Sequence, residues 1–242
     1  MPLTVEQSIE VEKCRRDAHY FIFDSGYLRT KDEHDPTVTS KRFPGYDSQR
    51  IFLDALLVSG HMLRPEDALW SKRLGIDPEF LEQLYYSGLF FCEKSRQLMA
   101  TWLICAYLLW RVRAKPNQLI LVQSKKEEDA ANLVFIKDPI NARISFMEHN
   151  LPDWLKVVNF KRDAAYAQLF FPQTGGKIWG IPEGGHIVRS NTASVLFSDE
   201  AGFQAEFGEA YTAAIPSVKG GGQLVAISSA EPGVFQELVE SP

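Results

Sequence analysis

No stretch of this sequence reaches the ~18 consecutive apolar residues of a membrane span. The most apolar run, Trp102 to Trp110, is too short for that and is expected as a buried helix. Cysteine is scarce. Cys14, Cys92 and Cys105 make an odd set without metal-ligand spacing, and the five histidines form no H-E-x-x-H pattern. A zinc-type site is therefore not expected, and the thiols read as free in a reduced, intracellular setting. A surplus of positive charge is missing too: the formal net charge is −5, so contact with a polyanion would need a local basic patch. The opening residues, MPLTVEQSIEVEK, lack the basic-then-apolar order of a signal peptide. Internal repeats and low-complexity tracts are absent as well.

What is present suits a folded chain with a sizeable core. Of the 242 residues, 45% are apolar and 24% charged, enough for one large domain or a domain with an appendage. The first 85 residues carry helical patterns and polar breaks, with helices expected over 6–23, 48–59 and 78–86 and a polar connection over 29–41. From Leu89 onward, short apolar runs alternate with helical segments. Strands are expected over 89–92, 118–123, 167–171, 177–181, 195–198 and 223–227. Helices are expected over 101–113, 126–135 (with Ser124 as a cap), 140–147, 206–214 and 234–239. Continuous apolar strands such as LILV and VLF, separated by helices, indicate a mainly parallel sheet covered on both faces. The Gly175-Gly176 turn predicts one antiparallel hairpin. The class is α/β, with a helical N-terminal region over 1–85 and a sheet core over 86–242.

Three polar loops follow buried strands, where parallel sheets bind their ligands. The first, EKSRQLMAT, resembles a phosphate-binding loop with a displaced lysine. The usual order is G-x-x-x-x-G-K-[ST], but Ala100 precedes Thr101 and the only lysine is Lys94. The second loop holds the acidic pair Asp199-Glu200, and the third holds Ser228-Ser229. Singly, each has a bland reading: a solvated loop, a helix cap with a neighbouring charge, a turn. Together they point to a nucleoside triphosphatase. Backbone N–H groups of Gln97 to Thr101 can cradle phosphate oxygens at a helix start. Thr101 offers a hydroxyl to Mg²⁺, Asp199 can hold that ion, and Glu200 can polarise an attacking water. Lys94 can reach back across the loop to the β- and γ-phosphates. Met99, where glycine normally sits, restricts the backbone and keeps open a degenerate loop that binds nucleotide poorly.

With these residues in view, the chain resembles the large terminase subunits of tailed double-stranded DNA bacteriophages, ATPases that drive DNA into preformed capsids. The resemblance lies in KSRQLMAT, a deviant Walker A loop with its lysine at the front. It extends through CRRDAHYFIFDSGYLRT, KRFPGYDSQRIFLDAL, the acidic pair and ISSAEPG. It implies a P-loop NTPase fold of the ASCE type. Lys94, Ser95, Gln97, Leu98, Met99, Ala100 and Thr101 would then form the ATP-binding loop, with Arg96 at the γ-phosphate. Thr101 and Asp199 would serve Mg²⁺ and Glu200 the water. Ser228, Ser229 and Ala230 would couple hydrolysis to movement, although the family more often has Thr-Pro there. Arg189 would be an arginine finger inserted into a neighbouring subunit, or else a surface arginine on a strand edge. Tyr46 and Gln49 would recognise adenine, or else simply begin a helix.

The resemblance also implies partners: double-stranded DNA, further copies of the chain in a ring (generally a pentamer), the portal protein and the small terminase subunit. The place would be the host cytoplasm, transiently at the procapsid portal, with no membrane. DNA-contact candidates are Arg111, Arg113, Lys115, Lys125, Lys126, Lys161, Arg162 and Lys219. The family's nuclease domain has no counterpart over 1–242, so DNA cleavage is not expected. The other readings left open are a helicase-like ATPase and a catalytically silent scaffold.

Overall fold

The computed structural model describes residues 3–31, 40–95 and 99–240. The chain begins with α1 (Val5–Arg16), a π-helical turn (Tyr20–Asp24), the short antiparallel pair β1 (Arg29–Thr30) and β2 (Lys41–Arg42), then α2 (Asp47–Ser59), α3 (Leu69–Arg73) and α4 (Pro78–Ser87). The remainder is β3 (Leu89–Glu93), α5 (Ala100–Ala114), β4 (Leu119–Gln123), α6 (Glu127–Val134), α7 (Arg143–His149), α8 (Phe160–Asp163), β5 (Ala164–Ala165), β6 (Gln168–Phe171), β7 (Gly176–Ile181), α9 (His186–Arg189), β8 (Val195–Asp199), α10 (Phe207–Lys219), β9 (Gln223–Ser228) and α11 (Val234–Glu240).

Seven strands form one sheet in the order β3-β9-β8-β4-β7-β6-β5. From β3 to β7 every pairing is parallel, and the Gly175-Gly176 turn folds β6 back antiparallel on β7, as its sequence predicts. Alternate residues of each strand point to opposite faces. Ile120, Val122, Val195, Phe197 and Val225 enter the core shared with α1, α2, α5 and α7. Leu121, Leu196 and Leu224 enter a second core under α9 and α10. The expected helix over 101–113 is α5, and every residue from Trp102 to Val112 is buried. A helix apolar all round belongs in a core.

Several expectations differ from what is found: α10 runs on to Lys219, past the expected 206–214, and the connection expected over 29–41 holds β1 and the start of β2. The helix expected over 6–23 breaks at Asp17, which is extended (φ −124°, ψ 111°). The Asp17 carboxylate accepts from the Tyr20 N–H at 3.0 Å, so the aspartate ends one helix by capping the next turn. The helix expected over 140–147 divides at extended Ala142 into a 3₁₀ turn (Pro139–Asn141) and α7. Ser124 does not cap α6, whose cap residue is Lys126. The Ser124 hydroxyl donates instead to the Asp199 carbonyl at 3.4 Å.

Candidate active site

The parallel strands end on one side of the sheet, and their register aligns those ends. Glu93 pairs with Ser228, Asp199 with Ile227, and Gln123 with Ser198. Lys94, Ser229, Glu200 and Ser124, each just beyond a strand, are therefore brought together from four distant parts of the chain. They line a cleft of about 660 Å³ with Ser95, Met99, Ala100, Thr101 and Asp199.

The backbone fixes the lysine first. The Lys94 N–H donates to the Ser228 carbonyl at 2.9 Å, extending the β3–β9 ladder by one residue. Its ammonium lies 2.8 Å from Glu200 Oε1. Glu200 has left-handed backbone angles (φ 54°, ψ 45°), a conformation costing a non-glycine residue roughly 1 kcal/mol. Its second oxygen, Oε2, accepts from the Ser229 N–H at 3.5 Å. One carboxylate thus links the ends of β3, β8 and β9.

Beside it, the Thr101 hydroxyl donates to Asp199 Oδ1 at 3.0 Å. Burial pushes the Asp199 carboxyl up to about 6, the positive field of Lys94 and the Thr101 hydrogen bond pulling the other way. The Asp199 backbone carbonyl is tied at 2.9 Å by the Gln204 amide. Thr101 is in the first turn of α5, whose cap residue Met99 is left-handed (φ 55°) and supplies no side-chain cap. The first N–H groups of a helix have no intrahelical acceptor, so this end offers donors and a positive dipole to the cleft. A sheet-borne cation, helix-borne N–H groups and two oxygens 3.0 Å apart suit a polyanion with a hard cation. Mg²⁺ takes few protein ligands and keeps the rest as water and phosphate oxygens. Among the described residues no cluster of three or more His, Cys, Asp or Glu could hold a metal by itself.

Other expected residues lie elsewhere. Arg96, Gln97 and Leu98 lie outside the described residues. Ser228 is buried beneath the cleft and Ala230 is exposed just beyond it. Tyr46 is 68% exposed at the start of α2. The Gln49 side-chain carbonyl accepts from the Tyr46 N–H at 3.4 Å, and neither residue lines the cleft. Arg189 ends a short helix rather than lying on a strand edge, 3.6 Å from Glu209 and outside the cleft.

Among the DNA-contact candidates, Arg111 and Arg113 are corrected. Arg111 is buried and donates to the Gly60 carbonyl, Tyr107 and Gln223. Arg113 pairs with buried Glu148 at 2.6 Å. Lys125 turns out to line the cleft. The far wall was missed from sequence: Asp129, Asn132 and Leu133 on one face of α6, and Arg143 at the start of α7. Ser124 and Lys125 follow a parallel strand, β4, so the rule that located the other loops also applied there. Arg143 carries no local signal.

The fold and site define a mixed α/β protein with a mainly parallel seven-stranded sheet flanked by helices and a polar cleft at the strand ends. No family model matches the chain, and no curated protein matches it. Among solved structures it is similar to the crystal structure of the HK97 bacteriophage large terminase, at 17% identity and a TM-score of 0.45, over 64% of this chain and 32% of that one. The chain thus spans about a third of the length of that structure. Among the described residues, no helix is long and apolar enough to cross a membrane.

Proposed function

We propose that this chain is an ATP-hydrolysing motor unit of the large-terminase kind, a P-loop NTPase of the ASCE type that moves double-stranded DNA into a procapsid. The observation that carries the reading is the convergence of Lys94, Glu200 and the Thr101–Asp199 pair on one cleft. The strand order supports it. Because β9 lies between β3 and β8, its end touches both the lysine and the glutamate, as a coupling segment must.

The roles follow from charge. Thr101 Oγ1 and Asp199 Oδ1 would hold Mg²⁺, which when bound neutralises charge on the β- and γ-phosphates. The N–H groups at the start of α5 would receive phosphate oxygens. Lys94 would exchange Glu200 for the triphosphate, and the released Glu200 carboxylate would accept a proton from the attacking water. Water adds to the terminal phosphorus as the bond to the bridging oxygen breaks, giving ADP and inorganic phosphate. The same reading makes Arg96 a γ-phosphate ligand and Arg189 a group acting on a neighbouring copy. Tyr46 and Gln49 become adenine contacts reached by movement of the α2 start. Residues 1–85 form a helical unit and 86–242 the ATPase core. The ring, the portal protein, the small subunit, the DNA and the place at the procapsid belong to this proposal, and the resemblance in the sequence supports them.

The test compares Mg-ATP binding and turnover in the wild type and Glu200→Gln. A motor unit binds in both and loses turnover by about two orders of magnitude in the variant. Absence of binding in the wild type would refute the reading. Binding without turnover, with copies of the chain and DNA present, would favour a silent scaffold, for which strained Met99 at the glycine position speaks.

A further inference from the structure

We infer that Arg143 is a further cation of the nucleotide site, gripping the polyphosphate from the wall opposite Lys94. The inference rests on the nucleotide reading above and deepens it. Lys94 follows β3, whereas α6 and α7 follow β4, with β9 and β8 between those strands. Residues from both sides nevertheless line the same cleft, Lys94 on one and Arg143 on the other. The two acidic residues, Asp199 and Glu200, occupy its floor between them.

Arg143 is held in place by an aromatic ring. Its guanidinium lies 5.5 Å from the centroid of Trp102, a cation–π arrangement that fixes a planar cation against a buried surface. Trp102 directly follows Thr101 in the first turn of α5, so the guanidinium is stationed beside the helix end that offers its N–H groups. The backbone of α6 is set close to the sheet by Gly180, where an added Cβ would meet the Ala130 carbonyl at 3.0 Å. The far wall therefore has a definite position.

The chemistry calls for such a group. A triphosphate carries up to four negative charges, and the position before Thr101, normally lysine, is Ala100. A lysine presents a point charge, while a guanidinium offers paired N–H donors that match two phosphate oxygens. Lys94 stands in for the lysine that position 100 lacks, and Arg143 would add a paired-donor cation from outside the loop. A purely structural Arg143 would instead serve only to hold the fold around it.

Equilibrium binding of Mg-ATP, Mg-ADP and AMP to wild type, Lys94→Ala, Arg143→Lys and Arg143→Gln separates these roles. Arg143→Gln should lose about tenfold or more in Mg-ATP affinity, less for Mg-ADP and little for AMP, a grading by phosphate number that a loss of stability alone would not give. Arg143→Lys should recover part of the loss. Unchanged Mg-ATP affinity in Arg143→Gln, or an equal loss for all three nucleotides, would overturn the inference. If wild type binds and Lys94→Ala weakens binding while Arg143→Gln does not, this inference alone fails. A wild type that binds none of the three removes both it and the function it rests on.

Discussion

The ammonium of Lys94 lies 2.8 Å from the carboxylate of Glu200, a residue 106 positions later in the chain. The pair joins the end of β3 to the end of β8 across the intervening β9. In the proposed reaction these two groups must separate, because the lysine is needed at the phosphates and the carboxylate at the water. A triphosphate therefore competes with Glu200 for the same cation.

Replacing that cation gives the first prediction. Lys94→Ala should lower Mg-ATP affinity at least about tenfold and abolish turnover. The thermal midpoint should move little, because a partly exposed ion pair contributes ~1 kcal/mol or less. Calorimetric binding and phosphate release would check both, and full activity in the variant would remove the lysine from the mechanism.

The Thr101–Asp199 contact predicts a metal-dependent defect. Thr101→Val removes the hydroxyl yet nearly preserves shape. It should weaken ATP binding about tenfold in the presence of Mg²⁺ and leave binding in chelator unchanged. Thr101→Ser should behave like wild type.

Asp199 predicts a slope in stability with pH. Its folded-state value of about 6 lies above the ordinary 3.8, so between these the native state holds the proton more tightly than the unfolded chain does. Its contribution should fall as pH rises from 4 to 6, by an order-of-magnitude 2–3 kcal/mol, and level off above. Urea unfolding of metal-free protein across that window would show the fall, and Asp199→Asn would flatten it.

Glu148 predicts the largest structural loss. It is fully buried, pairs with Arg113 at 2.6 Å, and accepts from the Val157 and Val158 N–H groups at 2.7 and 3.2 Å. Glu148→Ala removes the counter-charge of Arg113, which keeps its hydrogen bond to the Leu155 carbonyl, leaves two N–H groups without an acceptor, and should cost about 3–5 kcal/mol. Denaturant unfolding measures it directly.

Six of the seven strands were legible because they are mostly apolar, and Val195–Asp199 and Gln223–Ser228 fall within a residue of expectation; the two-residue β5 (Ala164–Ala165) is too short to leave a pattern. Lys94, Asp199 and Glu200 were legible as cleft candidates because each follows such a strand in a polar loop, although the same rule was not applied to Ser124 and Lys125 after β4. Contacts made across the fold were not. Arg111 looks from its neighbours like a solvated helix end, yet its partners Gly60 and Gln223 lie far away in sequence. Arg143 enters the cleft only because α7 packs against α5. Asp17 breaks a helical composition through one side-chain hydrogen bond, a competition that periodicity does not register.

In this chain Lys94 rides on the sheet, its N–H stitched to the Ser228 carbonyl, while Thr101 rides on a helix. A shift of α5 along its axis would carry the hydroxyl and the N–H groups with it and leave the ammonium behind. A lysine beside Thr101 would have moved in step with both. Here the same anion is held by two bodies at once, so a change in its length or charge can alter the distance between them.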